Sequence, residues 1–204
     1  GPWTHDGMLN ISGLAVDVTK LLYRCPDCQT YEGLKVVRPI SSNRIECASC
    51  FSSWRLTVSN HLIPLHDNGR SFGDRIPLHE AYRRIREFPL VPRTAGGPLR
   101  LAEGETLYLR SRPHLLRRED VFPRIRTLSI GRLYLTDRRL VFRNRYRMIL
   151  DVPLDQIKGL STEAGNRFNF VYGGKVYNLR FRHESILKWY DTITRVSRVP
   201  AAVG

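Results

Sequence analysis

Four cysteines in a chain of 204 residues fall in two dyads, Cys25-Pro-Asp-Cys28 and Cys47-Ala-Ser-Cys50, with eighteen residues between them. Two residues between thiolates let both side chains turn onto one ion, so two such dyads complete a tetrahedral Cys₄ shell. No cysteine is left over for an open coordination position, so the site is expected to fold a module rather than to catalyse. Two disulfides would suit a secreted protein, but nothing resembling a signal peptide starts the chain. A single redox-active dyad would leave the second pair unexplained. Zinc is the expected ion; a rubredoxin-like iron site uses the same ligands, and spacing does not separate the two.

The remaining residue types exclude more than they suggest. The six histidines, His5, His61, His66, His79, His114 and His183, are scattered, with no ligand or triad spacing around a nucleophile. His61 and His66 follow the second dyad closely, yet the two complete dyads leave them no place as ligands. No glycine-rich phosphate loop, serine elbow or pair of carboxylates stands out, so the chain is not expected to be an enzyme. No apolar stretch approaches bilayer-spanning length. The opening Gly1-Pro2 is what a protease leaves behind, so the chain is expected to be part of a longer one.

Arginine is the other chemical signal. The net charge is +14, and it is uneven: residues 1–75 hold eight basic and seven acidic side chains, residues 99–204 hold 21 and ten. Positive charge confined to one domain suggests a polyanionic partner: a phospholipid surface, a nucleic acid or an acidic protein. Of the basic residues 28 are arginine, so genome composition competes as an explanation.

These groups need elements to position them. Tyr23 precedes the first dyad, Ile45-Glu46 the second, and Trp54 to Val58 alternates like a strand after it. In these residues the chain resembles the zinc-ribbon family, whose two knuckles sit on hairpin turns; the resemblance covers roughly residues 20–66. Leu9 to Val18 is apolar and fits a strand or a helix. Residues 67–75 are turn-rich and read as a linker. Leu78, Ala81, Tyr82, Ile85 and Phe88 then recur at helical spacing between Pro77 and Pro89, with Arg83, Arg84, Arg86 and Glu87 between them. Pro92 to Pro98, with Gly96-Gly97, reads as a second linker.

From Leu99 the texture changes to short alternating strands. Thr106–Arg110 is the first. Residues 131–136 and 139–143 form a hairpin around Asp137-Arg138, Met148–Val152 is a fourth strand and Ile157–Leu160 a fifth. Arg167–Tyr172 and Lys175–Phe181 pair across Gly173-Gly174. A final helix runs from about Ser185 to Arg198, with Ile186, Trp189, Tyr190, Ile193 and Val196 on one face. The expected fold is therefore mainly β (α+β): ribbon and N-terminal extension over 1–75, helix and linker over 76–98, and a seven-stranded barrel capped by a helix over 99–204. Gly131-x-Leu-Tyr-Leu-Thr-Asp-x-Arg-Leu-x-Phe142, Val152-Pro-Leu-Asp-Gln-Ile157 and Trp189 are similar to the GRAM branch of the pleckstrin-homology superfold, over roughly residues 99–198. The resemblance implies that the 131–143 hairpin forms strands two and three and that Trp189 plugs the barrel.

It also implies a lipid-binding mouth between the loops after strands one and three. Arg110, Arg112, Arg117, Arg118, Arg124 and Arg126 are expected in the first region, and Arg143, Arg145 and Arg147 in the second. Leu115, Leu116 and Phe122 lie among them, as residues that insert at a headgroup interface or pack into the barrel. Guanidinium forks suit phosphate oxygens. The lysine-and-arginine pattern of tight phosphoinositide binders is absent, so lipid binding is expected to be electrostatic and weakly selective. The leading expectation is a cytoplasmic docking module, peripheral at an anionic membrane. Two others stand beside it: a scaffold contacting a protein partner or the remainder of a longer, lipid-metabolising chain, and a nucleic-acid-binding ribbon protein using Arg83, Arg84 and Arg86.

Overall fold

The computed structural model describes residues 18–37, 43–65, 73–94, 99–121, 124–163, 167–181 and 184–197. The chain divides into two compact units, Gly1–Phe88 and Pro89–Gly204. It is mainly β, as the alternation predicted.

The first unit is an antiparallel meander of β1 (Leu34–Val36), β2 (Arg44–Cys47), β3 (Ser53–Leu56), β4 (His61–Leu65) and β5 (Ile76–Pro77) in sequential order. Trp54 and Leu56 of β3 and Leu62 of β4 are buried together with Ile45 of β2. Pro77 opens α1 (Leu78–Glu87), whose buried residues are Ala81 and Ile85. Phe88 ends it with extended geometry (φ −58°, ψ 140°), as a residue before proline must. Of the Leu9–Val18 stretch only Val18 is described, at the start of a helical turn over 18–21; most of the expected 67–75 linker lies outside the described residues.

The second unit holds an eight-stranded sheet: β6 (Leu107–Arg110), β7 (His114–Val121), β8 (Arg124–Thr136), β9 (Arg139–Arg143), β10 (Met148–Pro153), β11 (Lys158–Glu163), β12 (Arg167–Tyr172) and β13 (Lys175–Arg180), followed by α2 (Ile186–Val196). The path is β10-β9-β8-β7-β13-β12-β11, with β6 pairing β8 from the side. Seven consecutive strands are thus joined by pairing the first, β7, with the last, β13, which leaves β10 and β11 as the ends of the path. With β7 as strand one, the 131–143 hairpin does supply strands two and three, and the unit is a pleckstrin-homology-like sandwich. Gly131 marks the place where β8 passes from pairing with β7 to pairing with β9. A Cβ there would stand 2.3 Å from the Arg143 carbonyl oxygen, so only glycine admits the close approach.

The strand count needs correction. The region from Arg110 to Arg126, expected as an arginine-rich loop after strand one, holds β7 (His114–Val121) and the start of β8. The expected first strand, now β6, is an addition alongside β8. The alternation was masked because the β7–β8 ladder shifts register between Leu116 and Arg117 and again between Glu119 and Val121, and each bulge breaks period two.

The hairpin of β12 and β13 follows its sequence signal. Phe168 faces Leu179 and Phe170 faces Tyr177, all buried. Gly173 and Gly174 turn with φ of 56° and 73°, the two positive values a type I′ turn requires. Helix α2 starts on Ser185, whose side chain accepts from Lys188 N. Trp189 is fully buried, its ring 5.7 Å from that of Phe181, and plugs the closed end.

Candidate metal centre and basic surfaces

The two knuckles are built alike. Gln29 N donates to Cys25 O and Cys25 N to Thr30 O; Phe51 N donates to Cys47 O and Cys47 N to Ser52 O, all at 2.9–3.0 Å. Each dyad is followed by a residue with positive φ, Gln29 at 63° and Phe51 at 62°. Next comes a hydroxyl 3.3 Å from the second cysteine sulfur, Thr30 beside Cys28 and Ser52 beside Cys50. The sequence carries this as a repeat, Cys-x-x-Cys-x-Thr/Ser, which spacing alone does not reveal. Ala48 N donates to Gly33 O at 2.8 Å and ties the hairpins together.

The four sulfurs meet. Cys25 and Cys50 Sγ are 3.7 Å apart, Cys28 and Cys47 Sγ 3.6 Å, and all four lie within 4.8 Å of one another. Disulfide sulfurs would be about 2.05 Å apart. Tetrahedral bonds of about 2.3 Å place ligand sulfurs about 3.8 Å from each other, so the set fits a four-coordinate metal ion. Burial pushes the Cys25 and Cys47 thiols up, whereas at Cys28 the Thr30 hydroxyl and amide outweigh burial and hold the thiol at about 6. A cation among them removes that conflict by favouring every thiolate. His61 is not part of this cluster: its Nδ1 lies 2.7 Å from Ser59 O. His66 lies outside the described residues.

The arginines expected in one mouth stand on different strands and loops. Arg110 leans over Tyr134, 6.0 Å from the ring centroid, on the outer face of β6 and β8. Arg112 donates its backbone N–H to Glu184 Oε1 at 2.8 Å, which puts it at the end closed by α2. Arg117 stands opposite Thr127 and Asn178, and Arg118 opposite Arg126. The side chain of Arg124 lies outside the described residues. Arg143 pairs in register with Arg132 and Met148.

Arg145 and Arg147 are exposed in the loop between β9 and β10, and that loop is organised. Tyr146 N and Arg147 N both donate to Asn144 Oδ1, at 2.9 and 2.8 Å, and Asn144 Nδ2 donates to Ser129 Oγ at 3.1 Å. An Asx turn of this kind holds a loop tip without help from its outward side chains. The tip presents Arg145, Tyr146 and Arg147, with Tyr146 81% exposed and Met148 beside it 50% exposed. Tyr146 and Met148 were missed from sequence; the signal was an asparagine opening a four-residue turn between strands. Ser129 is five residues from Arg124, where β8 begins, so this tip and the start of β8 are about 16 Å apart along the strand.

The closed end carries a buried ionic network. Glu184 Oε1 accepts from Arg112 N and from His114 Nε2 (2.5 Å), and Oε2 from Lys188 Nζ (2.7 Å) and Trp189 Nε1 (3.4 Å). Burial alone would push this carboxyl up, but His114 and Lys188 hold it at about 2. His114 is thus a core histidine that orients a capping helix.

No protein-family model matches the chain, and no curated protein matches it. Solved structures similar to part of it include the Vps36 N-terminal PH domain, 18% identical, covering 53% of this chain and 91% of that one, with a TM-score of 0.41. A C-terminal domain of an unknown protein from Leishmania infantum is 15% identical and covers 46% and 86%, with a TM-score of 0.33. The N-terminal PH domain of human ARAP2 protein is 11% identical and covers 46% and 84%, with a TM-score of 0.30. The strand order and plugged barrel, rather than these matches, make the second unit pleckstrin-homology-like. Among the described residues no helix is long and apolar enough to cross a membrane.

Proposed function

We propose that this chain is a non-catalytic docking module, in which a structural zinc ribbon accompanies a GRAM-like barrel that attaches at the periphery of anionic membranes on the cytoplasmic side. The observation that carries the reading is the Asn144-organised tip. It offers two exposed arginines around an exposed tyrosine, with Met148 alongside. Arginines seek lipid phosphates, and tyrosine and methionine suit the boundary between headgroups and acyl chains. A preorganised tip loses little entropy on binding. Zinc is the ion that best suits four thiolates closed around one centre with no open position.

The nucleic-acid reading has less support. On α1, Arg83 bonds Glu80 and Glu87, and Arg84 bonds Glu80. These arginines belong to a charge-paired, solvated helix face. A scaffold contacting a protein partner or the rest of a larger enzyme remains the outcome if neither polyanion binds.

The test is cosedimentation with vesicles. Wild-type protein is expected to pellet with anionic and not with neutral phosphatidylcholine vesicles, less so as salt rises. Each basic side chain near an anionic leaflet contributes about 1 kcal/mol. The triple change Arg143→Glu, Arg145→Glu and Arg147→Glu should therefore weaken binding at least about a hundredfold. Equal binding to neutral vesicles, or none to anionic ones, sinks the reading.

A further inference from the structure

Strands β7 and β13 have a second face. The alternation that buries Leu116 and Leu179 in the barrel turns Leu115, Arg117, Asn178 and Arg180 outward. A cavity of about 350 Å³ opens there, with Pro113 and Ile130 completing its walls. It lies on the outer surface of β7 and β13, with Ile130 of β8 at its edge. Arg180 carries no role in the docking reading.

The register decides what the cavity can hold. Asn178 stands directly opposite Arg117, and Arg180 is two residues further on the same face. Arg117 and Arg180 are therefore diagonal neighbours, with Cβ atoms about 7–8 Å apart. That separation lets two guanidinium forks close on one tetrahedral oxyanion. Neither guanidinium is ion-paired or hydrogen-bonded to a described residue. Two carboxylates share this face: Glu119, two residues from Arg117 on the side away from Arg180, and Glu163, whose Oε1 accepts from Asn169 Nδ2 at 2.6 Å while Arg167 lies 3.9 Å from its other oxygen. Asn178 donates one N–H to Asn169 Oδ1. Because Glu163 can only accept, that chain of amides has a fixed direction, and the second Asn178 N–H remains free to donate.

Two cations share a cavity walled by Leu115, Pro113 and Ile130. Their repulsion is relieved by an entering anion, and the apolar walls strengthen the attraction. A phosphate monoester carries about −1.5 to −2 charges at pH 7, against one for a carboxylate or a phosphodiester, so it complements the pair best. We propose that this cavity is a phosphate-monoester site, in which Arg117 and Arg180 grip the dianion and Asn178 donates to it. Ile130, 67% exposed at the rim, offers apolar contact to whatever carries the phosphate.

The monoester can come from solution or from a bilayer, and only the bilayer arm rests on the docking reading. The solution probe is sn-glycerol 3-phosphate, read by the NMR shift of the Asn178 side-chain amide. That shift is expected at millimolar concentration and should vanish in the Arg117→Gln/Arg180→Gln variant, whose two outward changes leave the core intact. An unshifted Asn178, or a shift that survives in the double variant, overturns the proposal. The bilayer arm compares phosphatidylcholine vesicles containing phosphatidic acid with phosphatidylserine vesicles of matched charge. Preference for phosphatidic acid by tenfold or more, lost in the double variant, supports a lipid source. A shift in solution without vesicle preference supports a soluble one. Failure to bind any anionic vesicle defeats the docking reading while leaving the solution result to decide the site.

Discussion

The first unit is organised around four sulfur atoms, the second around a cluster of aromatic rings. In the first unit, segments 25–28 and 47–50 bring four sulfurs within 4.8 Å of one another, a set that fits a metal ion, and both knuckles adopt the same hydrogen bonds and a positive-φ residue at the same position. In the barrel, Phe168, Phe170, Phe181 and Trp189 are fully buried, and convergence follows from removing apolar surface from water. A metal-centred module can therefore be small and nearly neutral. A core-centred one must be larger, and its surface is free to carry charge. The difference teaches where function can reside: four sulfurs with no open position suit a structural ion, while the excess of basic residues gathers in the second unit.

Metal removal should separate the two units most sharply. Zinc binding to Cys₄-type sites is worth about 10–16 kcal/mol and is coupled to folding. Strong chelation, or Cys47→Ser, should collapse the NMR dispersion of Trp54 and the knuckle amides while the Trp189 signals persist. Collapse of both together would break the comparison. Conversely, Trp189→Ala should cost the barrel about 3–5 kcal/mol, read as a lower denaturant midpoint for that unit with metal binding retained.

Acid provides a finer separation. The Glu184 carboxyl sits at about 2 in the fold against an ordinary value of 4.5. Its folded value is depressed, so its stabilisation is complete above pH about 4.5 and is lost as pH falls toward 2. At 1.36 kcal/mol per pH unit the full effect is about 3 kcal/mol. Denaturant titrations of the barrel between pH 5 and pH about 2 should show that loss, and Glu184→Gln should reduce it, leaving the share of Glu105, which, despite burial, Arg139 also holds at about 2. The smallest effect belongs to the ribbon. Phe51 has φ of 62° and is 71% exposed, a conformation costing a non-glycine residue about 1–2 kcal/mol. Glycine relieves that strain but loses more entropy on folding, so Phe51→Gly should stabilise the metal-bound ribbon by about 1 kcal/mol or less, measured by thermal unfolding.

The legible parts of the chain were those whose partners lie close in sequence. The cysteine dyads announce themselves by residue type and spacing, and the β12–β13 hairpin by strict alternation around Gly173-Gly174. The β7–β8 hairpin was not legible. Its outer positions face solvent, two bulges break its period, and Arg118 and Arg126 occupy ladder positions that would otherwise carry apolar residues. A ribbon with arginines on both faces reads as a loop.

By itself, then, the sequence determined the paired four-cysteine set, the mainly β character, the final helix with its tryptophan and the concentration of charge in the second half. Residue chemistry and local periodicity suffice for each of these. Tertiary structure alone decided which charges share a surface. It placed Arg110 against Tyr134, drew Arg112 and His114 to Glu184 across 70 or more residues, and set Arg117 diagonal to Arg180. Such neighbours are chosen by strand order and register, which depend on how the whole apolar core closes, and no local pattern encodes them.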